Sequence, residues 1–198
     1  MPKVIDHDER RAHIVEVTWG LIMRGGLEAA TMREIAEAAG FANGALKRYF
    51  PSKDVLVEAT FERALGMVNT QRQHNQQDGQ SGLEALRVMC RTTMPLDSKR
   101  VTAGRVLMAF WEMSLSNKRL HDRYLVHLKS WRTLLHEHIK RGRADGDIVT
   151  KVPDDQLVDE LVLLHAGANV MSLVGSRYST RKLQKAHLDA FFERLTQP

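Results

Sequence analysis

Residues 31–53, TMREIAEAAGFANGALKRYFPSK, spell two short helices separated by a tight turn and followed by the start of a third. Thr31 and Glu34 have the spacing of a capping box, in which each side chain satisfies an orphan backbone N–H at a helix start. Met32, Ile35, Ala36 and Ala39 then recur at the helical period, and Gly40 supplies the left-handed backbone that ends such a helix. After Phe41 the segment Asn43 to Phe50 is helical again, with Leu46 and Phe50 one turn apart facing inward and Lys47 and Arg48 turned outward. Pro51 stops it. Ser52 can cap a third helix opening at Lys53 and Asp54, whose acid suits the positive end of the helix dipole.

Two helices joined by a glycine turn, the second with basic side chains on its free face, make a helix-turn-helix pattern, whose second helix enters the major groove of DNA. Gly44, at the start of that helix, has no side chain to hold the backbone away from a phosphate. Lys47, Arg48 and Lys53 supply positive charge with no acid from Phe41 to Lys53, and the Tyr49 hydroxyl can bond a phosphate oxygen. The competing reading is a helical enzyme or carrier in which the basic hairpin is incidental and its Lys and Arg are merely solvated. Salt-sensitive binding to one DNA sequence separates the two.

The run Ile14, Gly26, Thr31, Ile35-Ala36, Ala39-Gly40, Gly44, Leu46, Tyr49-Phe50, Ser52-Lys53 and Leu56 resembles the amino-terminal domain of TetR-type transcriptional regulators. The resemblance implies that Thr31, Tyr49 and Lys53 hold the phosphate backbone and that Asn43 to Arg48 face base edges. Thr31, Asn43, Gly44, Lys47, Arg48, Tyr49 and Lys53 are therefore the expected DNA-binding residues, and a double-stranded operator the expected partner. Two positions depart from the family pattern. Ala42 stands where a Ser or Thr cap is usual, so Asn43 is expected to take over part of the capping, and Lys47 stands where a Tyr is usual.

The 198 residues are 43% hydrophobic and 27% charged, enough for a sizeable core in a soluble chain. A net charge of +5 favours a polyanionic partner, yet residues 1–53 hold eight Lys and Arg against seven Asp and Glu, so DNA binding would rest on a local patch. The single cysteine, Cys90, excludes an internal disulfide and lies in an apolar pattern that predicts a buried, inert thiol. No apolar run of signal-peptide length precedes the charged start and none reaches the ~20 residues of a membrane span, so the expected place is the cytoplasm, with no membrane partner. G-x-S-x-G, H-E-x-x-H, Walker and G-x-G-x-x-G motifs are absent, which leaves hydrolase, zinc-protease and nucleotide-binding readings without residues. Neither an enzyme activity, a cofactor nor a metal is expected. His136 and His138 diverge by about 200° on a helix, a poor pair for one metal.

The rest reads as all-α. Asp8 to Arg24 forms a helix with Ile14, Val17 and Leu21 on one stripe and Trp19 in the core of the small bundle. Lys53 to Val68 is a linking helix with Phe61, Leu65 and Val68 on its apolar face, and polar, Gln-rich Asn69 to Ser81 marks the boundary. The expected domains are thus a helix-turn-helix head, 8–68, and a ligand-binding and dimerisation domain, 69–198. Helices are predicted from Gly82 to Met94, Thr102 to Leu115 and Asn117 to Arg141, the last stopped by Gly142. Asp154 and Asp155 read as first-turn acids rather than a catalytic pair. They open a helix to Val174 that is apolar nearly all round, with Ala166-Gly167-Ala168 permitting close helix approach.

Two apolar helices ending so short a chain suggest a face hidden against a second copy. The family resemblance agrees, implying a homodimer through a four-helix bundle. Leu161, Ala168, Met171, Leu188, Phe191 and Phe192 are the expected interface. The segments LMAFWEMS and LHDRYLVHLKSW, around Met108 and up to Trp131, further resemble the BetI-like, choline-sensing branch. An effector pocket would draw on Met108, Phe110, Trp111, Met113, Tyr124, His127, Trp131 and His165, and aromatic faces there suit a quaternary ammonium or a flat aromatic compound.

Overall fold

The computed structural model describes residues 6–75, 79–175 and 177–198; the side chains of Asn43, Val68, Asn69 and residues 71–75 lie outside the description. Among the described residues every regular element is an α-helix: α1 (His7–Gly25), α2 (Met32–Ala38), α3 (Asn43–Tyr49), α4 (Lys53–Asn75), α5 (Gly82–Thr93), α6 (Ser98–Ser116), α7 (Lys118–Ala144), α8 (Asp154–Val174) and α9 (Arg181–Leu195). They form two compact units. One runs to Gly66 and takes in Arg105–His121; the other comprises Met67–Gly104 and Asp122–Pro198.

In the first unit, Asp6 caps α1 by accepting from the N–H groups of Asp8 and Glu9 at 2.9 and 3.0 Å, and Gly26, at φ 74°, closes it. The buried row is Ile14, Val15, Thr18 and Ile22, not the predicted Ile14, Val17 and Leu21. Thr18 explains the error: its hydroxyl donates to the Ile14 carbonyl at 2.8 Å, so a polar residue sits in the core row with its polarity satisfied by the helix itself. Trp19 is half-buried under the Arg63 guanidinium, 4.9 Å from its ring, and is not a core residue as expected. Leu56, Val57 and Phe61 bury the inner face of α4, which continues to Asn75, beyond the expected end at Val68, because glutamine is a good helix former. Phe61 stacks on Phe110 at 3.9 Å, while Asn117 donates from Nδ2 to Asp54 at 2.6 Å and caps α7 through Oδ1.

The second unit is built around Leu86, Met89 and Cys90 of α5, Leu135 and Ile139 of α7, Leu157, Val158 and Leu161 of α8, and Leu188, Phe191, Phe192 and Leu195 of α9. Gly142 does not stop α7. A Cβ added to Gly82 would lie 2.1 Å from the Gly142 nitrogen, so these two glycines let the α5 start and the α7 end touch backbone to backbone, and Gly146, at φ 82°, makes the turn instead. Asp145 closes the junction by accepting from the Gly82 N–H at 2.7 Å. Arg143 pins the following loop, binding Asp154 at 2.7 Å and the carbonyls of Thr150 and Val152 at 2.6 Å each. Asp154 is thus a structural partner, and Asp155 pairs with His136. α6 begins at Ser98, before the expected Thr102, because Asp97 accepts from the Arg100 N–H at 2.8 Å.

Of the six residues expected at a dimer interface, Met171 is exposed and the other five are not. Leu161, Ala168, Leu188, Phe191 and Phe192 are buried inside their own subunit, since α5 and α7 cover the most apolar faces of α8 and α9. The apolar side chains left exposed are Leu163 (71%), Met171 (41%) and Val174 (75%) on α8 and Leu183 (43%) on α9. α8 is also long and apolar enough to span a bilayer, contrary to the expectation that no segment is, but Leu157, Val158 and Leu161 place it in the core.

His165 is buried between two helices, with Nδ1 2.7 Å from the Leu161 carbonyl and Nε2 3.3 Å from the Cys90 carbonyl. A neutral ring has one N–H for two acceptors. Burial pushes its pKa below 6.5, the two carbonyls opposing that shift more weakly, so the unfolded chain takes up this proton before the folded one does. Stability should therefore be full above 6.5 and fall as pH drops through that value towards the lowered folded pKa, and His165→Gln should flatten the fall. Urea midpoints of the two proteins between pH 5 and 8 test this; parallel curves would show that His165 does not contribute.

Candidate nucleic-acid interface

The turn between α2 and α3 is fixed by hydrogen bonds: Gly40, at φ 73°, donates to the Glu37 carbonyl at 3.1 Å, and Phe41 to Ala36 at 2.8 Å. α1 packs on α2 and α2 on α3, and from α3 Leu46 and Phe50 are fully buried. That burial turns Lys47 and Arg48 outward, where both are exposed, and leaves open space around Gly44. Ala42 makes no side-chain cap, and in the first turn of α3 the Ala45 N–H donates to the Ala42 carbonyl at 2.9 Å. The expected capping role of Asn43, and its place facing bases, fall on a side chain outside the described residues.

The three predicted phosphate residues differ in how free they are. Tyr49 is half-buried between the rings of Phe41 and His7, with centroids 5.6 and 5.7 Å away. Lys53 donates to the Leu27 carbonyl at 2.8 Å, tying the start of α4 to the turn before α2, and two of its three ammonium hydrogens are not used in that bond. Thr31 completes the predicted capping box: it accepts from the Glu34 N–H at 3.2 Å and gives its hydroxyl hydrogen to the Glu34 carboxylate at 2.6 Å. The hydroxyl and then the backbone N–H of Thr31 hold the exposed Glu34 carboxyl below its usual pKa. A phosphate at Thr31 must compete with that carboxylate for the hydrogen.

Sequence periodicity missed the contribution of α1. Arg11 donates from its guanidinium to the Tyr49 carbonyl, at the end of α3, and lies 4.3 Å over the Phe50 ring. Arg10 sits 5.9 Å over Phe41. Both arginines are exposed, and a pattern that seeks apolar rows assigns them to solvent.

The residues expected around an effector fall in different units. Met108, Phe110, Trp111 and Met113 belong to the head's unit, where Phe110 is fully buried in the core against Phe61. Tyr124, His127, Trp131 and His165 belong to the other. There Trp131 meets His165 edge-on at 5.0 Å, and its buried indole N–H has no hydrogen-bond partner among the described residues. His165 itself bonds core carbonyls, as a structural histidine would.

A short basic helix carried on two supporting helices across a glycine turn defines a helix-turn-helix protein. Residues 14–60 match the profile of bacterial regulatory proteins of the tetR family, and residues 82–197 that of the BetI-type transcriptional repressor C-terminal domain. The chain belongs to the TetR family, with a C-terminal domain of the BetI type. It is 49% identical over 57 residues to the HTH-type transcriptional regulator PksA of Bacillus subtilis, covering 29% of this chain and 28% of that one. It is 32% identical over 126 residues to the HTH-type transcriptional regulator BetI of Burkholderia ambifaria, covering 61% and 62%. The matches thus span less than two thirds of these curated relatives. Among solved structures, a putative transcriptional regulator from Saccharomonospora viridis in complex with choline superposes with a TM-score of 0.85 at 23% identity, covering 94% of this chain and 96% of that one. A TetR transcription regulator from Haloarcula marismortui gives 0.84 at 16%, covering 96% and 100%. These two likenesses are of fold.

Proposed function

We propose that this protein is a DNA-binding transcriptional repressor of the cytoplasm, acting as a homodimer on a palindromic operator and released by a small molecule. The observation that carries the reading is the exposed pair Lys47 and Arg48 on α3, in a stretch without acids, within a chain of the TetR family. Lys47 and Arg48 read base edges, where a bidentate contact to guanine is the favoured geometry for a basic side chain. Tyr49, Lys53 and Thr31 hold phosphates on either side and set the register of the helix in the groove. The bare backbone at Gly44 lets α3 approach closely.

Selection from a random duplex library should yield a two-fold symmetric site. Lys47→Ala and Arg48→Ala should each relax preference at one or two positions, by ~1–3 kcal/mol where a bidentate contact is lost. Tyr49→Phe should weaken every sequence alike. Failure to enrich any duplex would favour the helical enzyme or carrier.

The dimer is proposed to form through the exposed faces of α8 and α9, using Leu163, Met171, Val174 and Leu183 in place of the buried residues named from sequence. Sedimentation should give twice 22.5 kDa. Leu163→Asp should yield folded monomers, whereas Phe191→Asp should unfold the subunit by placing a charge in its core. A Leu163→Asp protein that stays dimeric would put the interface elsewhere.

The effector is proposed to be a quaternary ammonium compound held by aromatic faces including Tyr124 and Trp131. The BetI-type match and the choline in the Saccharomonospora viridis structure support that class. A shift from 1:99 to 99:1 between DNA-bound and released forms needs a differential affinity of ~5.5 kcal/mol. Choline should quench or shift tryptophan emission and lower operator affinity, and Trp131→Leu should abolish both effects. A response to neutral flat aromatics and none to choline would replace the ammonium reading.

A further inference from the structure

We propose that Arg11, on α1, is a positioning residue that fixes the angle at which α3 presents Lys47 and Arg48; the proposal rests on the DNA-binding reading for its consequence and on geometry for its cause. α3 has seven residues and no side-chain cap at its start. A helix so short has no stability of its own and takes its direction from what grips it. Leu46 and Phe50 anchor its inner face, but two apolar contacts one turn apart leave rotation about their line free. The chain leaves α3 through Phe50 and Pro51, and Pro51 has no N–H to return to the last carbonyls of the helix.

Arg11 supplies what is missing. Its guanidinium donates to the Tyr49 carbonyl and sits over the Phe50 ring at 4.3 Å, so one planar group holds backbone and side chain of adjacent residues at the end of α3. Its charge sits at the negative end of the helix dipole. Its own base is firm, because Ile14, one turn further along α1, is fully buried and Asp6 caps the helix. A surface groove of about 370 Å³ beside it, lined also by Val15, Phe50 and Ala59, leaves open space next to the guanidinium. The contacts of His7 with Tyr49 and of Arg10 with Phe41 are ring contacts and do not hold the backbone of α3.

Two measurements on the full chain test the role. Without DNA, amide exchange at Leu46 and Phe50 should quicken about tenfold in Arg11→Met, as expected when a charge-assisted hydrogen bond is lost, while amides of α8 keep their protection. With an operator from the duplex selection, affinity should fall about tenfold, and more than affinity for unrelated duplex, with an unchanged slope of log affinity against log salt. Arg11→Lys keeps the charge without the planar fork and should fall nearly as far. Unchanged exchange in α3 overturns the proposal. So does a salt slope reduced by about one with affinity restored by lysine, which would make Arg11 a phosphate contact. If Arg11→Met loses α8 protection through unfolding, the same exchange comparison in Arg11→Lys decides. If wild type enriches no duplex, the DNA reading falls, and the exchange result alone decides whether Arg11 holds α3.

Discussion

The burial of Leu46 and Phe50 is the interaction on which the exposed basic face of α3 depends. Seven residues cannot sustain a helix in water, so α3 exists because these two side chains are fully buried in the head's unit, with α2 packed on α3. Everything exposed on α3 follows from that choice of face. Lys47 and Arg48 point out because their neighbours point in, and the hydrogen-bonded turn at Gly40 and Phe41 sets where the helix begins. The capping box at Thr31 and the Lys53 bond to Leu27 secure the helices on either side. Specific chemistry at the surface is thus a by-product of packing beneath it.

Much of this head was legible in the sequence because each device is local. A capping box, a positive-φ glycine and a Pro stop are read from three or four neighbouring residues, and all three stand where the sequence put them. What could not be read is what one helix does to another. Thr18 joins the core of α1 only because its hydroxyl bonds back to Ile14, and Arg11 meets Tyr49 across 38 positions of chain. The return of Arg105–His121 to the head's unit has no local signature either.

In the second unit the same limit appears in reverse. The strongest apolar row, Leu188, Phe191, Phe192 and Leu195, suggested a face for a second copy, yet in a subunit with several helices the most apolar face is covered first by the subunit itself. What stays exposed is a sparser row through Leu163, Met171 and Val174. Gly142 misled for a related reason. A glycine near a helix end usually marks a stop, but here it marks the place where another backbone passes too close for a Cβ. The distinction lies in Gly82, 60 residues away, and in nothing near Gly142.

The crossing at Gly82 and Gly142 also limits which substitutions the chain can accept. A methyl group at Gly82 would meet the Gly142 nitrogen at 2.1 Å, and one at Gly142 would meet the Ile148 side chain at 2.7 Å. Because the first clash is with backbone, no change of rotamer relieves it. One point of contact thus ties two positions, far apart in the chain, to a single residue type.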